Sequence, residues 1–211
     1  MKKFAFLALL LLGISPLLRA QEEEDWSFPV KYSGQRPVIT DFVTAILSQE
    51  DIGESLGEMK DNWELYQAGK ALPKDRSFLV DLKNGYMRYD SRDAEEDGGE
   101  YSKFIEFCYW NCSDGRHKLV AENTVCFRDG APYMGQFSGV CFYMYDGKTR
   151  RMEFTSGYDL GLDFDYPEGI EVFVNHLPQV GKTIEYLFYT TSGEVSRKFT
   201  WDGSKFVKTA K

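Results

Sequence analysis

The sequence predicts an α+β fold in which two N-terminal helices pack on an antiparallel β-meander of about eight to ten strands, in one sheet or divided into two. Three observations carry this expectation. Apolar residues recur at helical spacing between Thr40 and Gly69, whereas after Pro73 they alternate with polar ones, so the period changes from 3.6 to two. The alternating segments are joined by short glycine turns at Asn84-Gly85, Asp114-Gly115, Asp146-Gly147, Ser192-Gly193 and Asp202-Gly203. Aromatic residues make up 16% of the chain, which suits a sheet-rich core.

Residues 1–20 read as a signal peptide. Lys2 and Lys3 precede an apolar run from Phe4 to Leu12, Gly13 and Pro16 break it, and Ala20 offers a cleavage point that leaves Gln21 first. Leu18 departs from the small-x-small pattern. The run is short against the ~20 apolar residues a membrane span needs, and no other stretch is apolar enough to span. Residues 21–211 are then expected to form a single domain in the periplasm or outside the cell. The whole chain carries 25 basic and 33 acidic residues, and losing Lys2, Lys3 and Arg19 leaves 22 against 33, a net −11. That balance argues against nucleic acid or an anionic membrane as a partner.

Gln21 to Asp25 is an acidic leader with nothing apolar to bury. Trp26, Phe28 and Val30 alternate as an edge strand that Pro37 closes. Thr40 is placed to cap a helix reaching about Gln49, with Phe42, Val43, Ile46 and Leu47 on one face. Ser55 and Glu58 fit a capping box for a second helix, whose face carries Met59, Trp63 and Tyr66 and whose end is marked by Gly69. Phe78–Leu82 and Tyr86–Tyr89 flank Asn84-Gly85 as a hairpin. Asp90 to Glu100 reads as a solvated acidic loop, its acids lacking the ligand alternation of a calcium loop.

The most legible stretch is Lys103 to Asn123. Phe104, Glu106, Cys108, Trp110 and Cys112 share one face, Ile105, Phe107 and Tyr109 the other, and Ser113-Asp114-Gly115 makes the turn. This hairpin is expected at the middle of the sheet, with an irregularity at Asn111–Cys112. Further strands follow at Thr124–Phe127, Phe137–Tyr145, Arg150–Thr155, Ile170–Asn175, Thr183–Tyr189, Val195–Trp201 and Lys205–Lys208, interrupted by a loop at Arg128–Gly135 and a second acidic loop at Tyr158–Gly169. Residues 103–113 echo 182–192, sharing Lys, Ile, Glu and Ser, which raises a two-part β repeat around 77–156 and 170–208.

Four cysteines in an exported chain are disulfide candidates. Cys126 and Cys141 would face each other across a simple hairpin centred between Tyr133 and Met134. Cys108 and Cys112 lie ~13 Å apart along a regular strand, beyond the ~7 Å limit for bridging, so the alternatives are a local bulge, the pairs Cys108–Cys141 and Cys112–Cys126, or two free thiols. Zinc lacks the usual ligand spacings, and no cofactor motif is present, so neither metal nor cofactor is expected. His117 and His176 accompany no nucleophile motif, and Ser138 in Gly-Gln-Phe-Ser-Gly lacks the order of a hydrolase elbow.

The leader, the aromatic strands with Ser-Asp-Gly turns, the His176-Leu177-Pro178-Gln179-Val180-Gly181-Lys182-x-Ile184 run and the closing Trp201-Asp202-Gly203-Ser204-Lys205-Phe206 resemble uncharacterised exported domains of Bacteroidetes-type bacteria. The resemblance is one of style, strongest over the last forty residues, and it implies export and a β-rich fold while supplying no catalytic residues. The function expected is a non-catalytic exported binding module for a glycan or an envelope protein, with Trp110, Tyr109 and Trp201 as stacking candidates. The alternative is a hydrolase of envelope or dietary polymers working through two acidic residues.

Overall fold

The computed structural model describes residues 27–50, 53–95, 98–134, 138–163 and 165–209. The expected leader, its cleavage point and the acidic Gln21–Asp25 stretch lie outside the described residues. The described chain is mostly antiparallel β-structure, with twelve strands in two sheets and two helices.

Strand β1 (Phe28–Pro29) is followed by helices α1 (Ile39–Leu47) and α2 (Gly53–Gln67). The α1 helix starts one residue before Thr40, and the Asp41 carboxylate accepts the Val38 N–H at 2.8 Å, supplying the N-terminal cap that Thr40 was expected to give. Helix α2 begins at Gly53, so Ser55 lies inside it. Its end is the expected one. Gly69 takes φ +64°, with Gly69 N–H bonded to Tyr66 O and Lys70 N–H to Leu65 O.

The larger sheet holds β2 (Arg76–Asp81), β3 (Tyr86–Ala94), β4 (Glu100–Asn111), β5 (His117–Arg128), β6 (Ala131–Tyr133), β7 (Gly139–Asp146) and β8 (Arg151–Thr155). Its order is β1-β8-β7-β5-β4-β3-β2, with β6 paired beside β5. The smaller sheet runs β12-β11-β10-β9, where β9 is Ile170–His176, β10 is Thr183–Thr190, β11 is Gly193–Trp201 and β12 is Phe206–Lys208.

The β4–β5 hairpin is central, as its alternation suggests, and each of its faces is buried against a different layer. Ile105, Phe107 and Val120 share a core with Phe42, Val43 and Ile46 of α1 and with Met59 and Trp63 of α2. Cys108, Trp110, Leu119 and Ala121 share another with Ile184, Phe188, Phe199 and Trp201 of the smaller sheet. Helix α2 also reaches the sheet through charge. Glu58 bonds Arg76 at 2.6 Å, Lys103 at 2.7 Å and the Tyr89 hydroxyl at 3.0 Å, which holds α2 across β2, β3 and β4.

Two expected loops are partly strand. The chain Asp90–Ala94 continues β3, because Arg92 and Asp93 pair with Ser102 and Tyr101 of β4, and nearby cations neutralise its acids: Arg88 binds Asp90 and Arg76 binds Asp93. Within Arg128–Gly135, the three residues of β6 pair back onto Cys126–Arg128. The second acidic loop is anchored to the smaller sheet, with Leu160 and Leu162 buried and Leu160 O accepting the Phe206 N–H at 2.7 Å. At the Asn111–Cys112 step β4 simply ends, and the Cys112 N–H bonds His117 O to open the turn.

The sequence echo falls on β4 and β10, each interior to its own sheet. Its matched isoleucines are both fully buried, but Ile105 packs with the helices and Ile184 packs against the larger sheet. Matching strands here answer the same demand with different partners.

Candidate ligand-binding site

Alternation places residues on a face without telling what covers that face, and the aromatic candidates show the consequence. Trp110 is 4% exposed and Trp201 1%, both inside the core between the sheets. The Trp110 indole N–H donates to Gly181 O at 3.2 Å and that of Trp201 to Asn111 O at 3.2 Å, so each polar edge is satisfied internally. Neither ring can stack on a glycan. Tyr109 is half-buried on the opposite face, edge-on to Phe42 and covered by the Lys118 ammonium 4.6 Å from its centroid.

The four cysteines are free thiols. The register explains why the expected pairings do not form. Glu122, not Cys126, lies opposite Cys141, because β6 occupies the position beside Cys126, so the two sulfurs are displaced by four residues along the sheet, roughly 13 Å. Cys126 lies on the helix-side face opposite Lys103, where its sulfur accepts the Tyr101 hydroxyl at 3.0 Å. Cys108 and Cys112 pack on the other face, toward the smaller sheet. The crossed pairs Cys108–Cys141 and Cys112–Cys126 would therefore have to pass through the sheet.

The hairpin contributes instead at its tip. A cleft of about 630 Å³ opens where the β4–β5 turn, the β7–β8 turn and the segment 32–37 converge. The two turns are zipped together. Arg116 pairs bidentately with Asp146, the Gly147 N–H donates to Arg116 O, and Asp146 also accepts the Lys148 N–H at 2.7 Å. Asp114 stiffens its own turn by accepting the backbone N–H groups of Arg116 and His117, each at 2.9 Å, while its second oxygen binds His117 Nδ1. On the third wall, Tyr145 donates to the Tyr32 hydroxyl at 3.1 Å, and the Arg150 guanidinium lies 4.8 Å from the Tyr32 ring.

The electrostatics of the cleft oppose those of the chain. Arg36, Arg116, Lys118 and Lys148 line it in a protein of net −8. The flanking carboxylates, Asp114 and Asp146, are engaged by His117 and Arg116. Among the described residues, Arg36, Lys118 and Lys148 form no ion pair with a carboxylate. Lys118 bonds the amide oxygen of Asn111 at 2.5 Å. Burial, together with the nearby charge of Arg36, pulls its ammonium below the usual lysine range. Gln35 and Asn111 add exposed amides to the lining. Such a site can hold an anion and bond hydroxyls, and the sequence did not single out its cations. Their signal was the clustering of Arg116-His117-Lys118 and of Lys148, Arg150 and Arg151 at two turn tips of an acidic chain.

The carboxylates around the cleft are not disposed as a hydrolase pair, which needs one acid kept protonated near neutrality beside another. Asp114 is drawn down to about 2, chiefly by its bond to His117, and Arg116 holds Asp146 far below the usual carboxylate range. Two other carboxyls are buried away from the cleft. Glu106 accepts bonds from Tyr86 OH at 2.8 Å, Asn123 at 2.9 Å and the Leu177 N–H at 3.1 Å between the sheets. Glu122 takes the Tyr143 hydroxyl at 3.1 Å on the helix-side face, and burial pushes it up to about 7.

Fold and cleft together define a mostly antiparallel two-sheet protein with a helical pair and a cationic, tyrosine- and amide-lined cleft at one end of its larger sheet. No protein-family model, curated protein or solved structure is matched by the chain.

Proposed function

We propose that the protein is an exported, non-catalytic binding module whose ligand, a glycan or an envelope component, sits in the cleft at the tip of the β4–β5 hairpin. The observation that carries this reading is the convergence of side chains from three distant segments, 32–37, 111–118 and 145–148, on one concave volume of about 630 Å³, within the range of ligand sites on proteins. Export is supported by the leader pattern Lys2-Lys3 followed by Phe4–Leu12, and the helix pair reads as the back cover of the meander, leaving the turn end open.

The test fills the cleft without changing its charge. Gln35 lines the cleft, is exposed and makes no side-chain bond among the described residues. Gln35→Trp is expected to abolish retention of the mature protein by an array of neutral and acidic envelope polysaccharides while leaving its unfolding midpoint unchanged. Equal retention of Gln35→Trp and the parent overturns the assignment of the site.

A further inference from the structure

Resting on the cleft as the binding site, we infer that its ligand is an acidic glycan, seated with a carboxylate or sulfate among Arg36, Lys118 and Lys148 and its hydroxyls toward Gln35, Asn111 and Tyr32.

The charge of the cleft selects an anion. Of the four cations lining the cleft, Arg116 is committed to Asp146. The other three line the volume without a carboxylate partner among the described residues, in a chain whose acids outnumber its bases by eight. Clustering like charges costs free energy that a bound anion returns. Lys118 is disfavoured as a cation first by its partial burial over Tyr109 and then by the nearby charge of Arg36. Both nearby acids are already spent on His117 and Arg116, so neither stands between the cations and an incoming anion.

The lining also separates a glycan from an acidic peptide. Acidic peptide motifs are captured by clusters of arginine forks, and other peptides by an open strand edge or an apolar anchor pocket; of the three cations not committed to Asp146, only Arg36 carries a fork, the others being Lys118 and Lys148. The cleft is bounded by turns, and its lining includes the amides of Gln35 and Asn111 and four cations beside Pro37, His117 and two tyrosines, with one face of Tyr32 already covered by Arg150. Amides and hydroxyls beside cations match a polyhydroxylated acid. Carboxylate and sulfate would both satisfy the cations, and the probes distinguish them.

The experiment is calorimetric titration of the mature protein with oligogalacturonate, sulfated dextran oligosaccharide, neutral dextran oligosaccharide and poly-glutamate of matched charge. Binding is expected for at least one acidic glycan, weakening as salt rises, with neutral dextran and poly-glutamate at least about tenfold weaker. The combined Arg36→Gln, Lys118→Gln, Lys148→Gln variant should lose at least about tenfold in affinity for that glycan, and Arg36→Lys with Lys148→Arg should retain it. Silence from both acidic glycans, equal binding of poly-glutamate, or full affinity in the triple variant overturns the inference. The two readings fail differently: a neutral glycan bound by the triple variant but not by Gln35→Trp keeps the cleft and discards the acid, whereas binding indifferent to Gln35→Trp discards the cleft.

Discussion

Replacing Glu122 by Gln should stabilise the protein, and only above mildly acidic pH. Glu122 as a residue is 8% exposed, and its carboxyl takes one hydrogen bond from Tyr143 and is pushed by burial from an ordinary 4.5 up to about 7. The folded state thus holds this proton more tightly than the unfolded chain. Its stabilising effect is complete below about pH 4.5, declines as pH rises toward 7 and is gone above it. Each pH unit across that window is worth ~1.4 kcal/mol, so ionising Glu122 in the folded state costs on the order of 3 kcal/mol. The Gln amide keeps an oxygen for the Tyr143 hydroxyl and has nothing to ionise. Denaturant unfolding at pH 4.5 and pH 8.5 should therefore show parent and variant alike at the lower pH. At the higher pH the variant should lead by about 3 kcal/mol, or roughly 6–12 °C in midpoint for a chain of this size. A lead of the same size at both pH values, or none at pH 8.5, refutes the reasoning.

Gly85→Ala should destabilise by about 1–3 kcal/mol in the same assay, since its φ of +67° disfavours any side chain and the new Cβ would sit 2.6 Å from a ring carbon of Tyr109. A variant as stable as the parent would mean that Tyr109 does not pack there. For the cysteines, alkylation in denaturant without reductant should add four labels by intact mass, as expected of free thiols. In native buffer Cys108 and Cys126, at 2% and 3% exposure, should stay unlabelled while the denatured chain is fully modified. Two or no labels in denaturant would show bridges. Gln35→Trp, at an exposed position, should leave the unfolding free energy within the ~0.5 kcal/mol typical of surface changes.

The change from helix to strand language near Pro73 was legible because local periodicity encodes it, and so were the Gly69 helix end and the central hairpin. The β4–β5 pairing could be read from one turn and one alternation. What could not be read was the layer opposite each face. Trp110 alternates as a surface aromatic would, yet its face is closed by Gly181, 71 residues later, and by the smaller sheet. Trp201 is sealed from the other side by Asn111, 90 residues away. The cysteine pairing failed for a related reason. Symmetry about the loop predicted a register that β6, hidden in an apparently irregular stretch, displaces by four residues. The cleft is longer-range still, since no local pattern says that Arg36 approaches Lys118 and Lys148. Only the excess of bases at two turn tips hinted at it.

The cleft is the proposed place of ligand binding, and amide chemical-shift mapping tests that directly. Titrating labelled mature protein with oligogalacturonate or sulfated dextran oligosaccharide should move the backbone signals of Arg36, Gly115, Lys118, Gly147 and Lys148 together, while those of the smaller sheet stay in place. Shifts confined instead to Leu160–Leu162 or to Phe206–Lys208, with the two turn tips silent, would contradict it.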